Sequence, residues 1–493
     1  MTSRGRERRA VLPAKTVVDL QISLVGRAHI GFEIYNQLLE AIRQGRVEPG
    51  SRLPPTRELA RRLKVARTTV AHAYERLAGE GLLTSRTGGG TFVNVQPESQ
   101  YGKREAATSY LSPRPQWAAV PIQYIRRLWS DRVDFDFRTG IPDVSAFPHD
   151  VWRRLITRHM QPARTHFGYG DPAGHPALRA AIARHVWLAR GIATDPETVT
   201  ITNGTQQAID LVSRVLLEPG DRVAVEDPGY PPAWLLFKTF GARVEAVRVD
   251  TEGLMVEALP ADTRLVYVTP SHQFPLGMSM SLPRRQALLD WARRTNAAII
   301  EDDYDSEFRF GDRPIEPLRV LDHSGSVIYV GSFSKTALPS LRIGFVIAPP
   351  AVTEAIRAAK YVSDWMGVWA IQASLADFIN EGWYARYIRR MRTEYARRHD
   401  AVIGGVQRHL HEFLEVVPSA VGLHVCALTK GLSASDVHDI LKQCPDVRVD
   451  ELAHYSLGTP LVGLLFGYGA IAADRIDQGI KRLRHSFIAG RTH

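Results

Sequence analysis

The stretch VIYVGSFSKTALPSLRIG, residues 327–344, decides how the larger part of this chain is built. Val327 to Val330 form an apolar run with no polar alternation, the texture of a strand buried on both faces of a sheet. Lys335 stands just beyond that strand, after Ser332-Phe333-Ser334, and Arg342 follows seven residues later. A lysine amine at a strand end can form a Schiff base with an aldehyde, and hydroxyl and guanidinium groups beside it can hold a phosphate of the same molecule. A Ser-x-Ser-Lys also suits an ordinary surface loop, so the choice turns on what the neighbouring segments supply.

Upstream, the runs Val199-Thr200-Ile201, Arg222-Val223-Ala224-Val225, Leu265-Val266-Tyr267-Val268 and Ala298-Ile299-Ile300 alternate with helical stretches. That pattern predicts an α/β fold, a mostly parallel sheet covered by helices on both faces. The run at 298–300 ends in Glu301-Asp302-Asp303-Tyr304. A carboxylate there, Asp302, is what a pyridine nitrogen needs to stay protonated and keep its ring electron-withdrawing, although an acidic helix cap uses the same residue type. Asn203-Gly204-Thr205-Gln206-Gln207 puts free backbone amides at a helix start, where phosphate binds, and Asp227-Pro228-Gly229-Tyr230 offers an aromatic face.

The first hundred residues have a different texture. Ile30, Ile34, Leu38, Leu39 and Ile42 recur at helical spacing up to Gly45, a C-cap position. Leu53-Pro54-Pro55 leads into a short helix, Thr56 to Leu63, and a second follows over about Arg67 to Gly79, with Val70, Ala73, Tyr74 and Leu77 on one face. Leu82-Leu83-Thr84 and Thr91-Phe92-Val93 flank a glycine-rich tip and predict a hairpin. Helix, helix pair and hairpin make a winged helix-turn-helix, mostly α, whose second helix enters a major groove. That helix begins Arg67-Thr68-Thr69, with His72 one turn on. Arginine grips a guanine edge and threonine a phosphate or a thymine methyl, though each residue alone also suits a plain surface.

The expected organisation is a basic tail over 1–20, the DNA-binding domain over 21–95, a proline-interrupted linker over 96–130 with a short helix near Ile122–Trp129, and an effector domain over 131–493. Residues 1–95 hold 16 Lys and Arg against 8 Asp and Glu, +8 of the chain's net +10, so the positive field suited to phosphate backbones is concentrated there. Two distant cysteines, Cys426 and Cys444, exclude a disulfide framework and a zinc pair, and no metal is expected. No apolar run approaches roughly 20 residues, so the expectation is a cytoplasmic protein without a membrane partner.

Leu53-Pro54-Pro55-Thr56-Arg57-Glu58-Leu59-Ala60, Arg67-Thr68-Thr69-Val70 and Gly88-Gly89-Gly90-Thr91-Phe92-Val93 closely resemble the GntR class of bacterial regulators. The resemblance implies a double-stranded operator contacted by Arg57, Arg67, Thr68 and the wing around Arg86, Gly88 and Gly89, with Thr69 and His72 on the same helix. Lys64 stands where that class has a turn glycine and Ala66 where it has serine or threonine; Ala66 gives up a helix cap of about 1 kcal/mol.

The motifs between 200 and 345 resemble the fold type I aminotransferases, over about residues 131–485. The resemblance implies pyridoxal 5'-phosphate (PLP) bound to Lys335 as a Schiff base, Asp302 on the pyridine nitrogen, Tyr304 on the ring hydroxyl and Tyr230 stacked on the ring. Thr205, Gln206, Ser332, Ser334 and Arg342 would surround the phosphate. Tyr169 would reach the phosphate of a neighbouring subunit. Where those enzymes carry Asn-Pro-Thr-Gly, this chain has His272-Gln273-Phe274-Pro275-Leu276-Gly277; Phe274 cannot bond the ring hydroxyl, which leaves His272 or Gln273.

A GntR-type reader joined to such a domain resembles the MocR family of regulators, with its GabR-like and PdxR-like branches. The resemblance implies a head-to-tail homodimer on paired half-sites. Enzymes and regulators that grip an amino acid use an arginine in the late strand, here Leu461 to Tyr468, and this chain has none there. PLP itself is therefore the expected effector, as in the PdxR-like branch controlling vitamin B6 synthesis. An amino-acid or amine sensor, or a working aminotransferase, stays open as an alternative.

Overall fold

A computed structural model describes residues 22–24, 30–86, 89–94, 112–121, 133–161, 168–310 and 316–490. The basic tail, Gly88, most of the linker and the helix expected near 122–129 lie outside the described residues. The chain divides into two compact units, Met1–Ser112 and Pro113–His493.

In the first unit, α1 (Ile30–Arg43) turns Ile34, Tyr35, Leu38 and Ala41 inward. It packs on α3 (Arg67–Gly79), which packs in turn on α2 (Thr56–Leu63), and α3 buries Val70, Ala73, Tyr74 and Leu77. The Tyr74 hydroxyl donates to the Pro54 carbonyl at 2.9 Å, which ties α3 to the loop before α2. β1 (Leu83–Arg86) and β2 (Gly90–Val93) pair antiparallel, Leu83 opposite Val93 and Arg86 opposite Gly90. Lys64, between α2 and α3, sits at φ 55°, the left-handed conformation that a glycine adopts without strain. Ala66 has no side chain to close the start of α3.

The second unit holds two sheets. After β3 (Phe135–Phe137) come β4 (Val199–Thr202), β5 (Arg222–Asp227), β6 (Arg243–Asp250), β7 (Gly253–Leu254), β8 (Thr263–Val268), β9 (Ala298–Asp303), β10 (Val327–Ser332) and β11 (Gly344–Ile347). β4 to β11 form an eight-stranded sheet in the order β4-β11-β10-β9-β8-β5-β6-β7. β4, β5, β6, β8, β9 and β10 share one direction, and β11 and β7 run against them. The strands read as unbroken apolar runs because both faces are covered. Val223, Val225, Leu265, Tyr267 and Ile300 pack on one side with Ile209 and Phe237. Ala224, Val266, Val268 and Ile299 pack on the other with Leu288 and Trp291. A smaller sheet contains β3, β12 (Leu414–Val416), β13 (His424–Thr429), β14 (Val447–Glu451) and β15 (Gly463–Gly467) in the order β12-β13-β15-β14-β3.

β4 is antiparallel to β11, which is antiparallel to β10, so the carboxyl ends of β4, β5, β8, β9 and β10 share one edge. Thr205, Tyr230, His272, Tyr304 and Lys335 all follow those ends, the edge where open α/β sheets hold ligands. Both cysteines are buried and free, and no helix among the described residues is long and apolar enough to cross a membrane. Ala66→Ser should restore the missing cap and stabilise α3 by about 1 kcal/mol. Slower amide exchange in the first turn of α3, in the full-length protein, is the expected readout.

Candidate functional site

On the reader unit, Arg57, Arg67, Thr68 and His72 are exposed, and Thr69 is half-buried. Arg67 Nε lies 3.5 Å from Thr56 Oγ1, which keeps the guanidinium at the junction of α2 and α3. His72 has a carboxylate neighbour, Glu75, at 3.5 Å. Arg86 lies over the Phe92 ring at 5.3 Å, and Gly89 closes the turn by donating its N–H to the Arg86 carbonyl. Arg52, which sequence reasoning passed over, packs against Gly90: a Cβ there would come within 2.7 Å of its Nε.

In the second unit, Lys335 lies three residues past β10 and its Nζ donates to the Gly140 carbonyl at 2.5 Å. Burial lowers its pKa, opposed by Asp305 and Asp302. Gly140 has φ 75°, and a Cβ on it would come within 2.9 Å of Nζ, so the close approach depends on glycine. Asp302 belongs to β9 itself, rather than to the turn after it as the apolar run alone suggested. It shares the face of Ile300 and Tyr267, and its Oδ2 accepts a 2.7 Å bond from the Tyr267 hydroxyl. Oδ1 is buried without a hydrogen-bond partner among the described residues. Burial pushes the Asp302 carboxyl up to about 7, even though the Tyr267 bond pulls the other way.

Thr205 is the first residue of the helix Thr205–Leu216, whose N-cap is Gly204 at φ 80°. Arg342 donates to the Asn203 carbonyl at 3.0 Å and lies against Gly204, where a Cβ would meet its guanidinium at 2.6 Å. Gln206 Nε2 donates to the Pro232 carbonyl, while its Oε1 is buried without a partner among the described residues. Ser332 ends β10 and its Oγ accepts from the Ser334 amide at 3.1 Å. Tyr230 caps the next helix and meets Phe274 edge to face at 5.8 Å; burial pushes its hydroxyl up to about 12. Tyr304 reaches the imidazole Nδ1 and the carbonyl of His272, at 2.9 and 3.0 Å.

The two candidates for replacing the asparagine part company here. Gln273 is committed to its own loop: its amide donates to the carbonyls of Pro228 and Phe274 and its oxygen accepts from the Leu276 amide. His272 alone is turned to Tyr304. Phe274 sits edge-on to Tyr304 and Tyr455. Tyr169 is 79% exposed and stacks on Trp365 at 4.6 Å, away from the buried groups. β15 carries no arginine; Leu465, at its centre, is sealed among Leu276, Cys426 and Leu452. Asp305, His424 and Gly140 were missed by sequence reasoning, because an acidic residue after a strand, a histidine opening a strand and one more glycine carry no signal alone.

The aminotransferase class I and II family matches residues 135–444, and the family of bacterial regulatory proteins of gntR type matches residues 32–93. The chain is 37% identical, over 93% of both chains, to the probable rhizopine catabolism regulatory protein MocR of Rhizobium meliloti. It is 30% identical to the pyridoxine biosynthesis transcriptional regulator PdxR of Corynebacterium glutamicum, over 93% of this chain and 97% of that one. Among solved structures, the alpha-aminoadipate aminotransferase LysN of Thermus thermophilus, complexed with N-(5'-phosphopyridoxyl)-L-leucine, superposes with a TM-score of 0.70. The two are 27% identical, over 78% of this chain and all of that one.

A carboxyl whose pKa is higher in the fold than in the open chain leaves stability intact at low pH and lowers it as pH rises, because above about 7 the fold must carry Asp302 ionised and buried. We expect the cofactor-free protein to lose denaturant resistance between about pH 4 and pH 7. Asp302→Asn should flatten that slope in part, leaving what is due to Glu226, which burial raises to about 7, and to Glu301 and Asp305, which burial also raises.

Proposed function

The chain belongs to the MocR family of regulators, and from that premise we propose how its two units divide the work. It is a transcription regulator that binds DNA through the gntR-type unit and PLP through the aminotransferase-type unit. PLP supplies an aldehyde for a lysine amine and a pyridine ring that withdraws electrons from whatever is attached to it. In this proposal Lys335 holds the aldehyde carbon, Asp302 takes the pyridine N–H, Tyr304 faces the ring hydroxyl and Tyr230 the ring. Thr205, Gln206, Ser332, Ser334 and Arg342 form the phosphate cup.

The observation that carries this is the unpartnered, buried Oδ1 of Asp302 on the edge where Lys335 emerges. A buried carboxylate oxygen without a donor costs free energy that a protonated ring nitrogen would return. The cup is supported by the flush fit of Arg342 on Gly204 and by the start of the helix Thr205–Leu216 beside it. Gln206 Oε1 is an acceptor, so it would take a hydrogen bond from a bound water rather than from the phosphate itself.

Tyr169 belongs, in this reading, to a neighbouring subunit's phosphate in a head-to-tail homodimer. Its exposure supports that, together with the exposure of Tyr361, Val362 and Val368. The reader grips paired operator half-sites in the cytoplasm, through Arg57, Arg67, Thr68, Thr69, His72, Arg86 and Gly89.

PLP is also the effector we favour. With Leu465 sealed in an apolar cluster, β15 offers an amino-acid carboxylate no guanidinium, so the lysine-bound cofactor acts as a sensor of its own supply. A second reading is favoured by the higher identity to the rhizopine catabolism regulator than to the pyridoxine regulator: a small amine displaces Lys335 from the cofactor.

Operator affinity measured by footprinting the chain's own upstream DNA should change by at least about tenfold on saturation with PLP, the lower range of allosteric couplings. Lys335→Ala should abolish both that change and the visible absorbance of the bound cofactor. A response that needs an added amine would replace the first reading by the second. Arg67→Ala should weaken operator binding by about 1–3 kcal/mol and relax sequence preference at one base pair, while Arg57→Ala should weaken all sequences alike.

A further inference from the structure

His272 lies behind Tyr304 in a buried polar group that the roles given above leave unused. Its Nδ1 lies 2.9 and 3.1 Å from the two carboxylate oxygens of Asp305 and 2.9 Å from the Tyr304 hydroxyl. His272 and Asp305 are nearly inaccessible, at 2% and 1%. The Nε2 of His272 is buried and has no hydrogen-bond partner among the described residues. His424 lies alongside, ring centroids 4.8 Å apart, with its Nε2 on the Pro275 carbonyl at 3.0 Å. The donor atoms of His272, Asp305 and His424 lie within 4.8 Å of one another, but hydrogen bonds already commit His272 Nδ1 and His424 Nε2.

The partners fix the proton. A neutral imidazole carries one N–H. On Nε2 that hydrogen would be a buried donor without an acceptor, at a cost of about 1–3 kcal/mol, and the bare Nδ1 would face an anionic carboxylate. On Nδ1 the same hydrogen meets Asp305. The bare Nε2 is then a single unmatched acceptor, whereas the other tautomer leaves both an unmatched N–H and a lone pair facing a carboxylate. With the Nδ1 lone pair gone, the Tyr304 hydroxyl cannot donate to the ring, and its hydrogen is left for the His272 carbonyl at 3.0 Å or for a group in the cofactor pocket.

We propose that His272, held in its Nδ1–H form by Asp305, is a positioning residue that keeps Tyr304 a donor toward the ring hydroxyl of PLP. The pair stands where the asparagine of the enzymes is absent and acts through Tyr304 rather than on the ring itself. The inference rests on the reading that Lys335 and Tyr304 face PLP. Other ionisable groups share this neighbourhood: Asp302, Asp303 and Glu307 on the same segment, Glu226 from β5, His424 from β13, Tyr468 after β15, and Lys335.

The pH at which the bound cofactor's visible absorbance changes reports the proton beside its ring oxygen. Without the Tyr304 hydrogen bond that oxygen attracts the proton more strongly, so the midpoint rises. His272→Phe should raise it by about one pH unit, the size of a lost hydrogen bond to a charged group. His272→Asn, whose amide N–H takes the place of Nδ1–H, should stay near wild type. In a Tyr304→Phe background His272→Phe should add nothing. If Tyr304→Phe shifts the midpoint and His272→Phe does not, or if the two shifts add, the proposal is wrong while the cofactor reading survives. A Tyr304→Phe variant with an unmoved midpoint removes that reading instead, and this proposal with it. Nitrogen-15 NMR of the cofactor-free wild type needs no variant to fold. It should find His272 protonated at Nδ1, and a proton at Nε2 overturns the proposal.

Discussion

A carboxylate built into the middle of a sheet governs the second unit. Asp302 lies in β9 among buried neighbours, with one oxygen on Tyr267 and the other unmatched. Burying an anion is costly unless an opposite charge or several donors meet it. Lys335, past the carboxyl end of β10, is a cation that favours the charged form of Asp302, and burial outweighs that effect. The sheet therefore leaves one acceptor open at this point, the place given to a ring nitrogen in the proposal above, and the segments following β4, β5, β8, β9 and β10 emerge on the same edge.

The parallel sheet was legible because its strands are buried on two faces and so read as continuous apolar runs, and Lys335, Asp302 and Thr205 were legible because each follows such a run. The reader was legible for another reason, since α2, α3 and the hairpin lie close together in sequence and their apolar spacing is local. What stayed hidden depends on partners far along the chain. Gly140 meets Lys335 across 195 residues, and His424 comes to His272 from a strand of the other sheet. Neither has a periodic signature. Asp302 was placed one element too late because Glu301 and Asp302 look like a turn, whereas Glu301 is satisfied inside the sheet by the amides of Leu318 and Arg319.

The reader shows how a sequence departure is absorbed. Lys64 takes the left-handed conformation that glycine usually fills, at a cost of roughly 1–2 kcal/mol, and Ala66 leaves α3 without a side-chain cap. The turn holds because Val65 still donates to the Ala60 carbonyl and because Tyr74 anchors α3 to Pro54. Tertiary contacts override two unfavourable local choices, and Lys64 gains an exposed positive charge beside the groove-facing helix.

Whether the cofactor unit turns over or senses depends on what its pocket withholds. In the roles proposed above, Lys335, Asp302 and Tyr304 hold PLP and polarise it. Turnover would also require a second substrate fixed by its carboxylate, and β15, the strand expected to supply that anchor, presents Leu464, Leu465 and Phe466, all buried in apolar clusters. Phe274 presents aromatic surface to Tyr304, and His272, itself paired with Asp305, lies against the Tyr304 hydroxyl. In the proposed reading the pocket meets the cofactor at many points, while β15 gives a second substrate no charged anchor. Binding energy spent on one ligand alone shifts a conformational equilibrium without lowering a reaction barrier, which is the energetic profile of a sensor.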